Sequence, residues 1–290
     1  MPRSISLHKS SLKGIREANE DTHTYFLNLD STTKEYAPVD IFVICDGHGG
    51  PEVSEFVIRQ SILLNRLKDR RIKYPLSQKV IEKLFNNVQQ EIIQKGIAKS
   101  TGSTCLIVVR FVSDQKKESF QIINLGDCRA VLSRDGVAMA LTKDHKPHWP
   151  DERKRIDEVR KISERKETIY QDHGDWRIGD LSVSRSFGDL DNTPYVTHLP
   201  ESFTYGIEEK DEFLVIACDG LYDILQNHDI VNFVKCYRFD TDAVGLIYSI
   251  PGYEPYQYYR DEINIARKLG EFAIAAGSED NVSIMILFFD

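Results

Sequence analysis

The sequence predicts an α+β protein built on antiparallel sheet, and three observations carry that reading. First, Thr104–Val112, Ser119–Leu125, Arg129–Ser133 and Val137–Leu141 follow one another as short apolar runs separated only by polar or glycine-bearing turns. Strands joined so tightly belong to antiparallel sheet rather than to alternating βαβ units. Second, Ile41–Cys45 and Phe213–Cys218 are unbroken apolar runs, each closed by Asp-Gly. Such runs read as buried strands. Third, apolar residues recur at helical spacing after Pro51 and again after Ser77, which predicts two amphipathic helices paired on one face of a sheet.

Taken in order, Thr22–Leu29 alternates as a strand and Thr32–Pro38 is a polar turn. The Ile41 strand stops at Asp46, before Gly47, His48, Gly49 and Gly50. Glycines on both sides of His48 let the backbone turn sharply and approach a ligand, so an acid and an imidazole are presented together at a strand end. Asp-Gly is also a common turn former, and on this stretch alone a functional rim and a plain polar turn both stand. Pro51 opens a helix along Val53, Phe56, Val57, Leu63, Leu64 and Leu67, a position where its missing N–H does no harm. Lys68–Lys73 reads as the solvated end of that helix. Ser77 is the expected cap of the next helix.

After the strand run the character changes. Pro147, Pro150 and the charged stretch Asp151–Lys166 predict a helix followed by a mobile loop, and both a lid and a solvated face fit. Helices are expected from about His228 to Tyr237 and from about Asp261 to Ala276, the second closed by Gly277. A tyrosine-rich connection lies between them, and Val282–Phe289 is a last core strand.

Composition narrows the function classes. The chain has 290 residues, 41% hydrophobic and 28% charged, as expected of a soluble globular protein. Its net charge of −8 gives no general attraction to nucleic acid or to an anionic membrane. Five cysteines form no Cys-x-x-Cys pair, and Cys45, Cys105, Cys128 and Cys218 sit within or beside apolar runs. Buried reduced thiols imply an intracellular protein. The amino end lacks a signal-peptide core and no run reaches membrane-spanning length, so a cytoplasmic or nuclear location is expected, with no appended domain.

Four acids sit where core strands begin or end: Asp46, Asp127, Asp219 and Asp280. Provided those ends meet, the carboxylates raise one another's pKa, and a divalent cation relieves the repulsion. Oxygen donors without a Cys or His cluster select a hard ion, Mg2+ or Mn2+. Two such ions bridged by one carboxylate lower the pKa of a water and aim it at phosphorus. His48, whose ordinary pKa is near neutrality, suits protonation of a departing oxygen. Arg16 offers the planar fork that suits a phosphate, although Arg16, Glu20 and Asp21 alone also read as loop decoration. The chemistry implied is metal-dependent phosphate hydrolysis.

The ordered motifs extend this. They run through Arg16-x-x-x-Glu20-Asp21, Asp46-Gly-His-Gly-Gly50, Thr101-Gly-Ser-Thr104, Asn124-Leu-Gly-Asp127-Cys-Arg129 and Lys143-Asp-His-Lys-Pro147. Leu181-Ser-Val-Ser-Arg-Ser-Phe-Gly-Asp189, Ala217-Cys-Asp219-Gly-Leu-Tyr-Asp223 and Gly277-Ser-Glu-Asp280-Asn281 complete the series. Nearly end to end, the chain resembles the metal-dependent serine/threonine protein phosphatases of type 2C. The resemblance implies a sandwich of two antiparallel β-sheets flanked on both sides by pairs of α-helices, a four-layer α-β-β-α fold. It implies a single catalytic domain over residues 1–290 with a flap-like segment at about 146–180.

It also implies hydrolysis of phosphoserine and phosphothreonine on proteins by direct attack of a metal-bridging hydroxide, without a phosphoenzyme. By the same resemblance Asp46 bridges two ions, Gly47 lends its carbonyl to one, and Asp219 and Asp280 complete the protein ligands. Glu20 and Asp21 hold metal-bound waters, and Asn281 supports the site. Arg16 binds the substrate phosphate and His48 is the general acid. Asp127, with Asp219 and Asp223, matches a weaker third metal site; Asp127 and Asp223 also read as turn or cap residues, and His48 as part of its turn. A monomer acting on phosphoproteins is expected. Two rivals stand: a catalytically inactive scaffold of the same fold, and a metal-dependent phosphodiesterase. Departures from the family pattern fall at Cys105, often alanine there, in the flap sequence around Trp176, and in the tyrosine-rich segment 238–260.

Overall fold

The computed structural model describes residues 3–27, 39–69, 71–113, 115–239 and 263–290. In chain order the strands and helices are β1 (Ile5–Leu12), β2 (Thr22–Phe26), β3 (Asp40–His48), α1 (Glu52–Arg59), α2 (Ile62–Leu67), α3 (Gln78–Lys95) and β4 (Gly102–Val112). There follow β5 (Glu118–Leu125), β6 (Arg129–Arg134), β7 (Val137–Ala140), α4 (Pro150–Ile162), β8 (Tyr170–Asp172), β9 (Asp175–Arg177) and β10 (Phe187–Gly188). The last are β11 (Glu201–Gly206), β12 (Asp211–Ala217), α5 (Asp219–Tyr222), α6 (Asn227–Phe239), α7 (Ile265–Ala275) and β13 (Val282–Phe289). Two large antiparallel sheets and several helices make this an α+β protein. The polar turn expected at 32–38 and nearly all of the tyrosine-rich segment lie outside the described residues.

Packing divides the chain into two compact units. The first comprises Thr22–Cys128 and Lys143–Gly206. Its sheet has the order β11-β5-β4-β3-β2, with β10 added to β4. Alternate residues of β3 and β4 (Ile41, Val43 and Cys45; Cys105, Ile107 and Val109) turn toward α1, α2 and α3 and form one core with Phe56, Leu63 and Phe85. Three expectations are corrected here. The β3 strand does not stop at Asp46 but runs on to His48, because Thr104, Ser103 and Gly102 of β4 pair with its last three residues. The single helix after Pro51 is two, since Ser61 has extended backbone and caps α2 by accepting from Leu63 N at 3.2 Å. Ser77 occupies the cap position of α3 without a capping hydrogen bond from its side chain.

The flap-like segment is also more ordered than a helix and bare loop. The β8–β9 hairpin turns at His173 and Gly174, both at positive φ (47° and 98°). A small core of Ile156, Ile178, Tyr195 and Val196 anchors α4 beside it. Glu152 of α4 is buried and accepts from Ser184 Oγ at 2.7 Å, Arg155 at 2.9 Å and Arg185 Nε at 2.9 Å. Burial alone pushes its carboxyl up, but Arg185, Arg155 and Ser184 together outweigh that and hold it at about 2.

The second unit comprises Met1–Asp21, Arg129–Thr142 and Ile207–Asp290. Its sheet has the order β1-β13-β12-β6-β7. Phe213, Val215, Ile284, Ile286 and Phe288 pack against Ile230, Phe233, Leu269 and Phe272 of α6 and α7. The strand β1, which the sequence does not announce, pairs with β13 along its whole length, from Ile5↔Phe289 to Leu12↔Val282. Across the described residues Cys45, Cys105, Cys128 and Cys218 are buried thiols. No described helix is long and apolar enough to cross a membrane.

Candidate functional site

Strand register decides which predicted residues meet within each unit. In the second unit, β12 and β13 run antiparallel with Ala217 opposite Ile284, and β1 ends with Leu12 opposite Val282. The chain leaving β12, the chain entering β13 and the chain leaving β1 therefore lie at one end of the sheet. These are the stretches that carry Asp219, Asp280 and Arg16. Cys218 N donates to Ser283 O at 3.2 Å, and Ser278 Oγ donates to Gly220 O at 2.7 Å. Both bonds tie the Asp219 turn to the segment bearing Asp280. Gly220 has no side chain because a Cβ there would overlap the carbonyl oxygen of Asn281.

Asn281 organises the loop from β1. Its Oδ1 accepts from Glu20 N at 2.8 Å, while Nδ2 donates to Lys13 O at 2.8 Å and Ala18 O at 2.9 Å. One buried amide thus fixes both ends of the stretch that holds Arg16 and Glu20. Arg16 Nη2 reaches Asp280 Oδ2 at 2.7 Å, and Arg16 Nε donates to Glu279 O at 3.0 Å. Asp21 is buried and takes Asn19 Oδ1 on its amide at 3.1 Å. Asp223 is exposed at the end of α5, its amide bonded to Asp219 O at 2.8 Å.

In the first unit, Asp46, Gly47 and His48 are the last residues of β3, partly exposed, opposite Thr104, Ser103 and Gly102. The same two positions of β4 receive β10, Phe187 opposite Ser103 and Gly188 opposite Gly102. Asp189 follows directly, and its Oδ2 lies 2.8 Å from His48 Nε2. Asp127 is buried after the Gly126 turn and pairs with Lys146 Nζ. A Cβ at Gly126, which lies at φ 112°, would run into the side chain of Thr104. The residue that sequence reasoning passed over is Asp189: it closes a quoted motif, but only the β3–β4–β10 register shows that it faces His48.

The donor chemistry of these stretches suits a hard cation. Asp46, Asp219 and Asp280 offer carboxylate oxygens, and Gly47 a carbonyl oxygen. Cys218 Sγ, the soft atom next to Asp219 in the chain, is buried and engaged with Asn281 O at 3.3 Å and Ser283 N at 3.2 Å. Oxygen donors of this kind could hold a divalent metal ion.

Comparison with known proteins decides the family. The family model described as protein phosphatase 2C matches residues 5–282. The chain belongs to the protein phosphatase 2C family. It is 56% identical over 178 residues to a PP2C-like domain-containing protein of Acanthamoeba polyphaga mimivirus, covering 61% of this chain and 98% of that one. A probable protein phosphatase 2C of Arabidopsis thaliana is 31% identical over 278 residues, or 95% of this chain; the match spans 65% of the plant protein's length. Among solved structures, a sex-determining protein of C. elegans superposes with a TM-score of 0.77 at 23% identity, over the whole of this chain and 65% of that one. A serine-threonine phosphatase 2C of Toxoplasma gondii gives 0.72 at 20% identity, over 100% and 98%. At those identities the structural likeness speaks for the fold. The family to which the chain belongs is one of protein phosphatases.

Proposed function

We propose that this chain hydrolyses phosphoserine and phosphothreonine on proteins, by direct attack of water on phosphorus and without a phosphoenzyme. The observation that carries the proposal is the clustering at one sheet end of Arg16, Asp219 and Asp280, held by Asn281. Asp46 and the Gly47 carbonyl, with Asp219 and Asp280, would hold two Mg2+ or Mn2+ ions. Glu20 and Asp21 would hold waters around them, and Asp127 and Asp223 a weaker third ion. When bound, the ions supply a water of lowered pKa and neutralise charge on the phosphoryl oxygens.

The rest falls to the chain's own side chains. Arg16 sits on Asp280 at 2.7 Å, so its guanidinium is available at the acid cluster to turn its fork onto a phosphate. His48 protonates the serine or threonine oxygen as it leaves, which an alkoxide needs at neutral pH. The Cys-x5-Arg spacing from Cys128 to Arg134 forms no nucleophile loop, because Arg129–Arg134 is strand β6 and the Cys128 thiol is buried, in keeping with direct attack. The same reading takes residues 1–290 as one working catalytic domain, monomeric and intracellular, a compartment that the buried free thiols favour.

Phosphate release from a phosphothreonine peptide, with Mn2+ or Mg2+ supplied and then stripped by EDTA, tests the proposal. Release that requires the metal is expected. Hydrolysis of a phosphodiester with none of the peptide would replace the proposal with a phosphodiesterase. No release by folded protein with either metal would leave a scaffold.

A further inference from the structure

We propose that Asp189 is the positioning residue of His48: it holds the imidazole in the orientation from which the leaving oxygen is protonated. The inference rests on the reading of His48 as the general acid. Two short strands bring the pair together. His48 and Gly188 both lie opposite Gly102 of β4, so β3 and β10 flank one residue, and the side chain of Asp189, the next residue after Gly188, reaches His48. Gly188 and Asp189 are both at positive φ (80° and 50°). Two successive left-handed residues turn the chain back at once, and Asp is among the few side chains that accept that conformation. The turn is fixed by Asp189 N donating to Thr101 O at 3.1 Å.

The carboxylate that results is nearly enclosed. Asp189 has 3% of its side chain exposed against 28% for His48. Its Oδ2 takes His48 Nε2 at 2.8 Å and also receives the hydroxyl of Ser186. A buried carboxylate is costly unless paired and hydrogen-bonded, and here the pairing partner is the ring of the proposed acid. Gly102 completes the arrangement, because a Cβ there would overlap both the Asp189 carboxylate and His48 Nε2. The floor beneath the pair is therefore cut to backbone. A hydrogen bond at one ring nitrogen sets the rotation of the imidazole about its Cβ–Cγ bond and distinguishes the two nitrogens. In the reaction the P–O bond to the threonine oxygen breaks, water supplies the new P–O bond, and the ring proton passes to the departing oxygen. Asp189 takes no proton and touches no substrate. It acts through the ring.

The test compares two leaving groups on the full chain with Mn2+. A threonine alkoxide must be protonated as it leaves, whereas the p-nitrophenolate of p-nitrophenyl phosphate needs no acid. Asp189→Ala is expected to lower kcat on a phosphothreonine peptide by about 10- to 100-fold, and to leave p-nitrophenyl phosphate within about threefold. KM for the peptide should stay within about twofold, since the pair contributes to the transition state rather than to binding. Asp189→Asn keeps the volume and an acceptor for the ring, so it guards against misfolding and should recover part of the peptide rate. Thermal unfolding of each variant checks the fold, and His48→Ala runs alongside. An equal fall on both substrates in Asp189→Ala would show a structural role and overturn the inference. So would an unchanged peptide kcat in Asp189→Ala when His48→Ala has lost it. If His48→Ala itself keeps the peptide rate, the general-acid reading fails, and this inference fails with it for a separately visible reason.

Discussion

Replacing Asn281 by alanine removes the clamp on the loop that carries Arg16 and Glu20, and its effect can be worked from the contacts. The side chain makes three hydrogen bonds, with Glu20 N, Lys13 O and Ala18 O, at 2.8–2.9 Å. Asn281 is buried, but Lys13 and Ala18 are exposed, so water re-satisfies part of what is lost. At the net worth of an ordinary protein hydrogen bond, three losses amount to about 2–4 kcal/mol. Urea unfolding followed by the fluorescence of Trp149 and Trp176 measures the cost. The functional arm is the KM for a phosphothreonine peptide, which should rise as Arg16 loses its fixed seat beside Asp280. A variant as stable as the parent within about 0.5 kcal/mol, with unchanged KM, would refute the clamp.

Three further predictions follow from single contacts. Gly220→Ala drives a Cβ into the carbonyl of Asn281, a backbone atom with little freedom to move, and should cost about 1–3 kcal/mol in urea unfolding. Glu152, held at about 2 by Arg185, Arg155 and Ser184, binds fewer protons folded than unfolded between its ordinary value and that figure. Its contribution, about 3 kcal/mol, is therefore complete above the ordinary carboxyl range and drains away as pH falls toward 2; Glu152→Gln should flatten that part of the stability–pH curve. Burial, and then the Cys105 thiol 3.3 Å away, push the Cys45 thiol up, and Cys105, Cys128 and Cys218 are equally enclosed. Native protein should thus react with a thiol reagent at Cys236 first and at the other four only on unfolding, which mass spectrometry of labelled peptides reads directly.

What the sequence made legible was whatever burial writes into composition. Strands β3 and β12 are covered on both faces and appear as unbroken apolar runs, and the acids that follow them stand out by contrast. The edge strand β1, Ile5-Ser-Leu-His-Lys-Ser-Ser-Leu12, is half-buried apart from an exposed Lys9 and carries too many polar residues to announce itself. The outer strand β11 is similar, with Phe203 and Thr204 both exposed. The break between α1 and α2 was hidden because Leu63, Leu64 and Leu67 continue the apolar stripe while Ser61 resets the backbone. Of the site, the acids and Arg16 were legible from motif order. The tie between Arg16 and Asp280 and the partner of His48 were not, because each depends on strand register between segments far apart in sequence.

The central claim, that acids at the strand ends bind divalent metal, is tested most directly by calorimetric titration of Mn2+ into the folded, EDTA-stripped chain, with Asp219→Asn as comparison. The account predicts about two ions bound per chain, with at least one lost in the variant. Folded wild-type chain that binds no Mn2+, or an Asp219→Asn variant that binds it unchanged, would contradict it.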